Sequence, residues 1–502
     1  MAGNQPRSLP GHPNLRHVKL EAKRRLAAGE FATLHDAQTA IAREHGLPGW
    51  AALKQACAED NPALIHVHWI IERFRDAGQP GWTPPGDDEL RQHFDDRFLD
   101  AIPAGVLTEM LTRNVTDLQA ELTVIRQAPF EAQVELAGAR YLAVTTPEPP
   151  HRLIGLRGFV LAERITDPRA KAPPPVRTTG QPPDGVAAFA AAACTELGLP
   201  AVLLAGGDAG RTPWIVASGY ADLDRRQPAG PEHRFPAPGL TGLVTATAVL
   251  RLAGAGRLDL DAPANSRLRS VRLADDAVTV RQLLTHTGGI GSPDEVYADT
   301  VPDLADLMGP VIASDGRRGT VWPSNGGYGV LGQLIADVTG TPYAEAATQL
   351  VLDPLGMRDS RFPGGTADIT RDREAGAAVT SYTVAPDGAL EPFPPQVATV
   401  QAIAGLWSTG ADLIRLGTGW PSLLPAALAR DAFTPQTEPG PSGVRIGLGL
   451  LLDGRTGADG GAGLDAVTLL RTRIRDYRTF IVLTSRAVTV ESFDQHLRHA
   501  WL

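Results

Sequence analysis

Apolar residues recur at helical spacing from the start of the chain. Pro10, Gly11 and Pro13 punctuate its opening, and Leu15, Val18, Ala22 and Leu26 follow on one helical face. A second helix is expected from Leu34 to Arg43, closed by His45-Gly46, and a third begins at Trp50-Ala-Ala-Leu53. Residues 1–60 thus read as a small helical module. The next stretch, 61–166, changes period. Helices are expected at His66–Asp76, Asp88–Leu99 and Ala104–Arg113. Strand-like runs follow at Glu131–Leu136, Arg140–Thr145 and Leu153–Leu161, broken by Ala137-Gly138 and Pro147-Glu-Pro-Pro150. Helices first and antiparallel strands after predict an α+β unit. Residues 167–184, with Pro173-Pro-Pro175 and Pro182-Pro183, read as a Pro-rich linker, and 185–502 as a large C-terminal domain.

Composition narrows the function classes. The chain has 502 residues, and 47 Lys+Arg against 56 Asp+Glu give a net charge of -9, which argues against nucleic acid as a partner. The most apolar run, Gly185–Cys194, stops at Thr195-Glu196, too short to span a membrane. The basic first 30 residues hold no apolar run of the secretory kind, and Cys57 and Cys194 lie far apart; both features lead us to expect a cytoplasmic protein. Only four of the basic residues are lysine: Lys19, Lys23, Lys54 and Lys171. Arginine stays protonated in a protein, so beyond residue 171 no basic side chain of the lysine kind can act as a proton acceptor.

Several polar groups invite a chemical role. His66, His68 and His93 lack a Cys/His/Asp cluster at metal-ligand spacing and read as polar-face histidines. His496 and His499, at i and i+3 on the last helix, read as surface residues, and no metal is expected. Asp222, Asp224, Asp275 and Asp276 look like turn residues. The glycines of 454–463 lack the strand-to-helix setting and the lysine of a phosphate loop, so no nucleotide or other cofactor is expected.

Three resemblances add to this reading. Ser8-Leu-Pro, Ala22-Lys23, Asp36-Ala-Gln38, Ile41-Ala-Arg-Glu-His-Gly46 and Gly49-Trp50-Ala-Ala-Leu-Lys54 resemble a short helical module found beside ankyrin repeats, although no 33-residue repeat follows. Phe94-Asp-Asp-Arg-Phe98, Ile102-Pro103 and Pro149-Pro-His-Arg-Leu-Ile-Gly-Leu156 resemble the ketosteroid-isomerase-like (NTF2-like) module. From Gly185 onward the landmarks run in order: Gly219-Tyr-Ala-Asp222, Thr245-Ala-Thr-Ala-Val-Leu-Arg-Leu252, Val280-Arg-Gln-Leu-Leu-Thr-His-Thr-Gly-Gly289, Ser324-Asn325 with Gly327-Tyr-Gly-Val-Leu-Gly332, Leu352-Asp-Pro-Leu-Gly-Met357 and Gly405-Leu-Trp-Ser-Thr409. This segment resembles the serine β-lactamase and penicillin-binding-protein-like hydrolases of the class C and esterase branch. The resemblance implies an antiparallel sheet flanked by helices, with a helical lobe over a cleft.

That family's chemistry uses Ser-x-x-Lys, Tyr-x-Asn and a Lys-Thr-Gly or His-x-Gly strand. Counting from the landmarks, the serine position falls on Gly239, the lysine position on Gly242 and the tyrosine position on Pro323. The third cluster is either Arg455-Thr456-Gly457 or Asp459-Gly460-Gly461. Ser324 and Asn325 remain, and Arg455 is a candidate for bidentate pairing with a carboxylate. His286 reads as part of a structural turn. The expected cleft is therefore enlarged at its floor, lined by Gly239, Gly242, Pro323, Ser324, Asn325, Arg455, Thr456 and Asp459, and without catalytic residues. Three functions follow as expectations. The first is a degenerate hydrolase that binds a small molecule or a protein partner, or scaffolds its neighbours. The second is an enzyme re-using the emptied cleft, or the NTF2-like pocket with Asp95, Asp96 or His68 as acid–base groups. The third is a serine hydrolase whose register has been misread.

Overall fold

The computed structural model describes residues 22–26, 30–31, 33–44, 50, 61–77, 79, 81–101, 104–115, 122–128, 131–136, 139–146, 150–160, 165–170, 172–209, 212–385, 388–438, 445–488 and 490–502. The chain divides into two compact units, 1–161 and 162–502.

In the first unit, α1 (Leu34–Glu44) forms where its apolar spacing predicts it, and Thr33 accepts a hydrogen bond from the Asp36 amide at its start. The first expected helix is described only over 22–26, and His45-Gly46 lies outside the described residues. Helix α2 (Pro62–Phe74) is capped by the Asn61 side chain, with proline at its first position. The helix expected at Asp88–Leu99 is two helices, α3 (Asp87–His93) and α4 (Asp96–Ala101), because Phe94 takes an extended conformation and bridges to Leu153. Helix α5 (Ala104–Val115) follows. Strands β1 (Thr123–Ala128), β2 (Glu131–Leu136), β3 (Ala139–Thr145) and β4 (Leu153–Val160) form an antiparallel meander. Phe74, Phe94, Leu64, Leu90 and Leu153 are fully buried in this unit's core.

The second unit begins earlier than the expected linker allows. Residues Val176–Thr179 of the Pro-rich segment form β5, paired antiparallel with Ile215–Ser218. Prolines flank this strand but do not interrupt its ladder, a pattern that an edge position tolerates. Strands β6 (Ala201–Gly207), β7 (Trp214–Asp222), β8 (Thr456–Ala462), β9 (Val467–Arg473) and β10 (Thr479–Thr484) complete the main part of an antiparallel sheet in the order β8-β9-β10-β6-β7-β5. Helix α6 (Val186–Leu197) opens the unit. Helices α7 (Leu240–Gly254), α8 (Asn325–Thr339), α9 (Gln401–Ala404) and α10 (Gly410–Gly419) follow, and α11 (Glu491–Ala500) closes it.

Period-two burial sorts the two sheet faces. Val202, Leu204, Phe480 and Val482 pack with Val186, Ala190, Phe493 and Leu497 of α6 and α11. Leu203, Ala205, Ile481 and Leu483 face the larger core that contains α7. Every residue of α7 from Leu240 to Leu250 is buried, so this helix sits inside the unit rather than on its surface.

Candidate functional site

Gly239 is the N-cap of α7 and has φ 77°. A side chain is strained in that left-handed region. A methyl group added here would fall on the Gly460 carbonyl and the Gly461 nitrogen, well inside van der Waals contact. The strand is held against the helix start: the Thr468 hydroxyl donates to the Pro238 carbonyl, and the Gly239 amide donates to the Ile403 carbonyl at 2.9 Å. At Gly239, the expected serine position, the space for a side chain is therefore occupied by backbone, and the amide is already used.

Gly242, the expected lysine position, is closely packed as well. A Cβ on Gly242 would lie 2.9 Å from Ile403 Cδ1, 3.4 Å from the Tyr328 ring and 3.5 Å from Asp459 Oδ2. Asp459 Oδ2 accepts from the Leu243 amide at 2.9 Å and Oδ1 from the Gly460 amide at 2.9 Å. A carboxylate thus reaches from β8 to the first turn of α7, where amides lack intrahelical partners and the dipole favours negative charge. Burial pushes the Asp459 carboxyl up to about 7, against the two amides that favour its charged form. These contacts correct the expectation of an enlarged floor: own-chain atoms close the space that glycine substitution leaves.

The same contacts separate the two candidates for the third cluster. Gly460 and Gly461 lie beside Gly239, whereas Gly457 faces Phe433 and Leu450. Arg455 is exposed at the turn before β8. Thr456 is buried, its hydroxyl donating to Asp453 at 2.8 Å and accepting from Arg471 at 2.8 Å. Arg455 and Thr456 accordingly do not join Gly239, and Asp459 does. Local sequence offered two similar Gly-containing triplets; sheet register alone distinguishes them.

At the tyrosine position Pro323 is exposed. Ser324 is buried as the N-cap of α8, accepting from the Gly327 amide at 2.9 Å and donating to the Ile290 carbonyl. Its hydroxyl is thus engaged within the chain on both sides. Asn325 is exposed, and its amide donates to Ser292. His286 accepts from the Ser324 amide at 3.1 Å and stacks on Tyr328 at 4.8 Å, and its backbone carbonyl accepts from the Trp322 amide. Burial lowers its imidazole to about 4, so it is neutral and acts as a brace for this loop. Tyr297, on a short strand paired with Val397–Ala398, donates to Asp465 of the β8–β9 turn at 2.7 Å.

His496 stacks on Phe189 at 3.9 Å, and His499 is exposed on the same helix. Among the described residues, no group of three or more His, Cys, Asp or Glu could hold a metal ion. No helix among them is long and apolar enough to cross a membrane.

In the first unit, sequence reading missed a pairing. His66, on α2, and His93, at the end of α3, place their Nδ1 atoms 3.0 Å apart. His66 is buried and its Nε2 lies 3.1 Å from the His151 carbonyl, which only accepts. Nε2 therefore carries the proton, His66 Nδ1 accepts, and His93 Nδ1 donates, leaving the His93 Nε2 lone pair uncommitted to this chain of bonds. Trp69 stacks on His93 at 3.7 Å. His68, by contrast, is exposed, as is Asp96, and Asp95 is half-buried.

Burial lowers both imidazoles, His93 to about 4. An unfolded chain then takes up protons first as pH falls through about 6.5, so this pair contributes stability above that pH and loses it on descent towards 4. Hydrogen exchange of residues 62–74 is expected to accelerate between pH 7 and pH 5 beyond its intrinsic trend, and His93→Phe should abolish most of the excess. An unchanged excess in that variant would assign it elsewhere.

The beta-lactamase family model matches residues 186–502, and the chain belongs to this family. Among curated relatives, esterase EstB of Burkholderia gladioli is 35% identical over 167 residues, covering 29% of this chain and 43% of EstB. The putative penicillin-binding protein PbpX of Bacillus subtilis is 26% identical over 199 residues, covering 39% and 49%. The chain thus spans less than half the length of each of these two relatives. Among solved structures, the octameric penicillin-binding protein homologue from Pyrococcus abyssi superposes with TM-score 0.53 at 23% identity, over 62% of this chain and 75% of that one. A class C beta lactamase from Rhodobacter sphaeroides gives 0.50 at 19%, over 63% and 99%. These two likenesses establish the fold.

Proposed function

We propose that the C-terminal unit is a beta-lactamase-family domain that performs no acyl-enzyme chemistry, and that the protein works by binding a small molecule or protein or by scaffolding its other modules. One observation carries this reading: at the serine position the backbone is left-handed and the strand carbonyl of Gly460 occupies the space of a side chain. Acyl transfer in this fold needs a nucleophile at that point and a free amide to meet the developing oxyanion. Gly239 lacks the first and its amide bonds Ile403. The test is intact mass after incubation with a fluorophosphonate, a penicillin and a β-lactone. Unmodified, folded protein is the expected result; a stoichiometric adduct would overturn the proposal, and peptide mapping would name the nucleophile.

A second reading draws on the first unit. Helices followed by a four-stranded antiparallel meander are in keeping with an NTF2-like module, and the His66–His93 relay leaves an uncommitted imidazole nitrogen suited to proton transfer. A turnover lost in His93→Phe but kept in Asp459→Asn would place activity in this unit instead.

A further inference from the structure

A pocket on the second unit combines a fixed loop with uncompensated positive charge. Its volume is about 330 Å³, and Arg257, Ser266, Arg267, Leu268, Arg269 and Val338 line it. The loop is pinned from below. Asp337 accepts from the Arg269 amide at 2.6 Å and from the Ser270 amide and hydroxyl, and it also takes a bond from Gln333. Asn265 exchanges bonds with the Leu273 backbone in both directions. This acid is thus spent on holding main chain in place. The Arg257 guanidinium donates to the Val338 carbonyl near the end of α8, which fixes it as one wall. The side chains of Arg267 and Arg269 have no hydrogen-bond or carboxylate partner among the described residues.

Many arginines of the second unit are instead held by carboxylates. Arg169, Arg234, Arg281, Arg471 and Arg498 each pair with carboxylates. Three arginines line one concavity, so like charges are gathered there, and an oxyanion bound in it offsets their mutual repulsion. Guanidinium matches phosphate oxygens in a bidentate fork, and several such forks converging is the usual chemistry of phosphate recognition. The volume exceeds a single phosphate group, and Leu268 and Val338 give part of the wall an apolar character. We infer that this pocket binds the phosphate group of a small phosphorylated organic molecule, held by Arg257, Arg267 and Arg269, at a place separate from the closed cleft.

Titration calorimetry of the full chain with inorganic phosphate, pyrophosphate and AMP tests this. Saturable one-to-one binding of AMP or pyrophosphate is expected, with each of Arg267→Ala and Arg269→Ala weakening it about tenfold. The exposed, unpaired Arg358 supplies the control, and Arg358→Ala should leave affinity unchanged. All three substituted positions are exposed, so unaltered melting of the variants separates loss of binding from loss of fold. No saturation by about 10 mM, or binding that persists in the Arg267→Ala/Arg269→Ala double variant, would overturn the inference. Its outcome is independent of the acylation test, since neither arginine belongs to the cleft.

Discussion

Gly239→Ser is expected to destabilise the C-terminal unit by about 3 kcal/mol or more and to leave it unreactive towards a fluorophosphonate. Two costs combine. The φ of 77° strains any L side chain, and the new Cβ meets backbone atoms of Gly460 and Gly461 that cannot swing aside as a flexible side chain would. Gly256 separates the two costs. Its φ is 68°, but nothing lies within 4 Å of its added Cβ, so Gly256→Ser should lose only about 1 kcal/mol. Urea unfolding followed by tryptophan fluorescence reads the difference, and intact mass reads the reactivity. A Gly239→Ser protein as stable as Gly256→Ser, or one that labels, would mean that strand β8 can withdraw and that the cleft is only latched shut.

Asp459→Asn should change the pH dependence of the same unit. The Asp459 carboxyl titrates at about 7 when folded and near 3.8 in its unperturbed state. Between those values the folded chain holds a proton that the unfolded chain has released, so stability falls as pH rises through this window. The group's share is on the order of 2–4 kcal/mol. His286, lowered to about 4 by burial, works in the opposite direction between pH 4 and 6.5, so the parent's total slope is a sum. The informative quantity is the difference between parent and variant. Asparagine keeps an acceptor for the Leu243 amide but sets an NH₂ near the Gly460 amide, a pH-independent cost that leaves the slope as a clean readout. On going from pH 4.5 to pH 7.5 the denaturant midpoint of the variant should rise relative to that of the parent; parallel behaviour would show that the carboxylate is already ionised and tolerated.

Much of the architecture is legible from residue pattern because burial here follows simple periods. Glu131–Leu136 was placed residue for residue by alternation, and α7 encloses the Thr245–Leu252 landmark. Strand β1 escaped notice because Thr123-Val-Ile-Arg-Gln-Ala128 lacks clean alternation, and its ladder against β2 shifts register between Val124 and Arg126. Counting from the landmarks put the expected Ser, Lys and Tyr positions on Gly239, Gly242 and Pro323. What packs against those glycines was not legible. Gly460 against Gly239, and Asp459 against Gly242, are contacts between remote segments, and no local rule says what will pack against a glycine. The His66–His93 bond belongs to the same class: two helices bring together imidazoles that look unremarkable one at a time.

The edge strand β5 bears on where this chain can be cut. The family match starts at residue 186, beyond β5. A truncation that keeps only the matched residues removes Val176–Thr179 and strips the partner from Ile215–Ser218, leaving a row of unsatisfied amides and carbonyls on β7. Such a fragment has a sticky flank and is prone to add a strand from a second copy. A fragment begun at residue 162 keeps the native cover. The proline-rich stretch is thus less a tether between modules than a selvedge, the woven border that keeps the sheet from fraying into its neighbours.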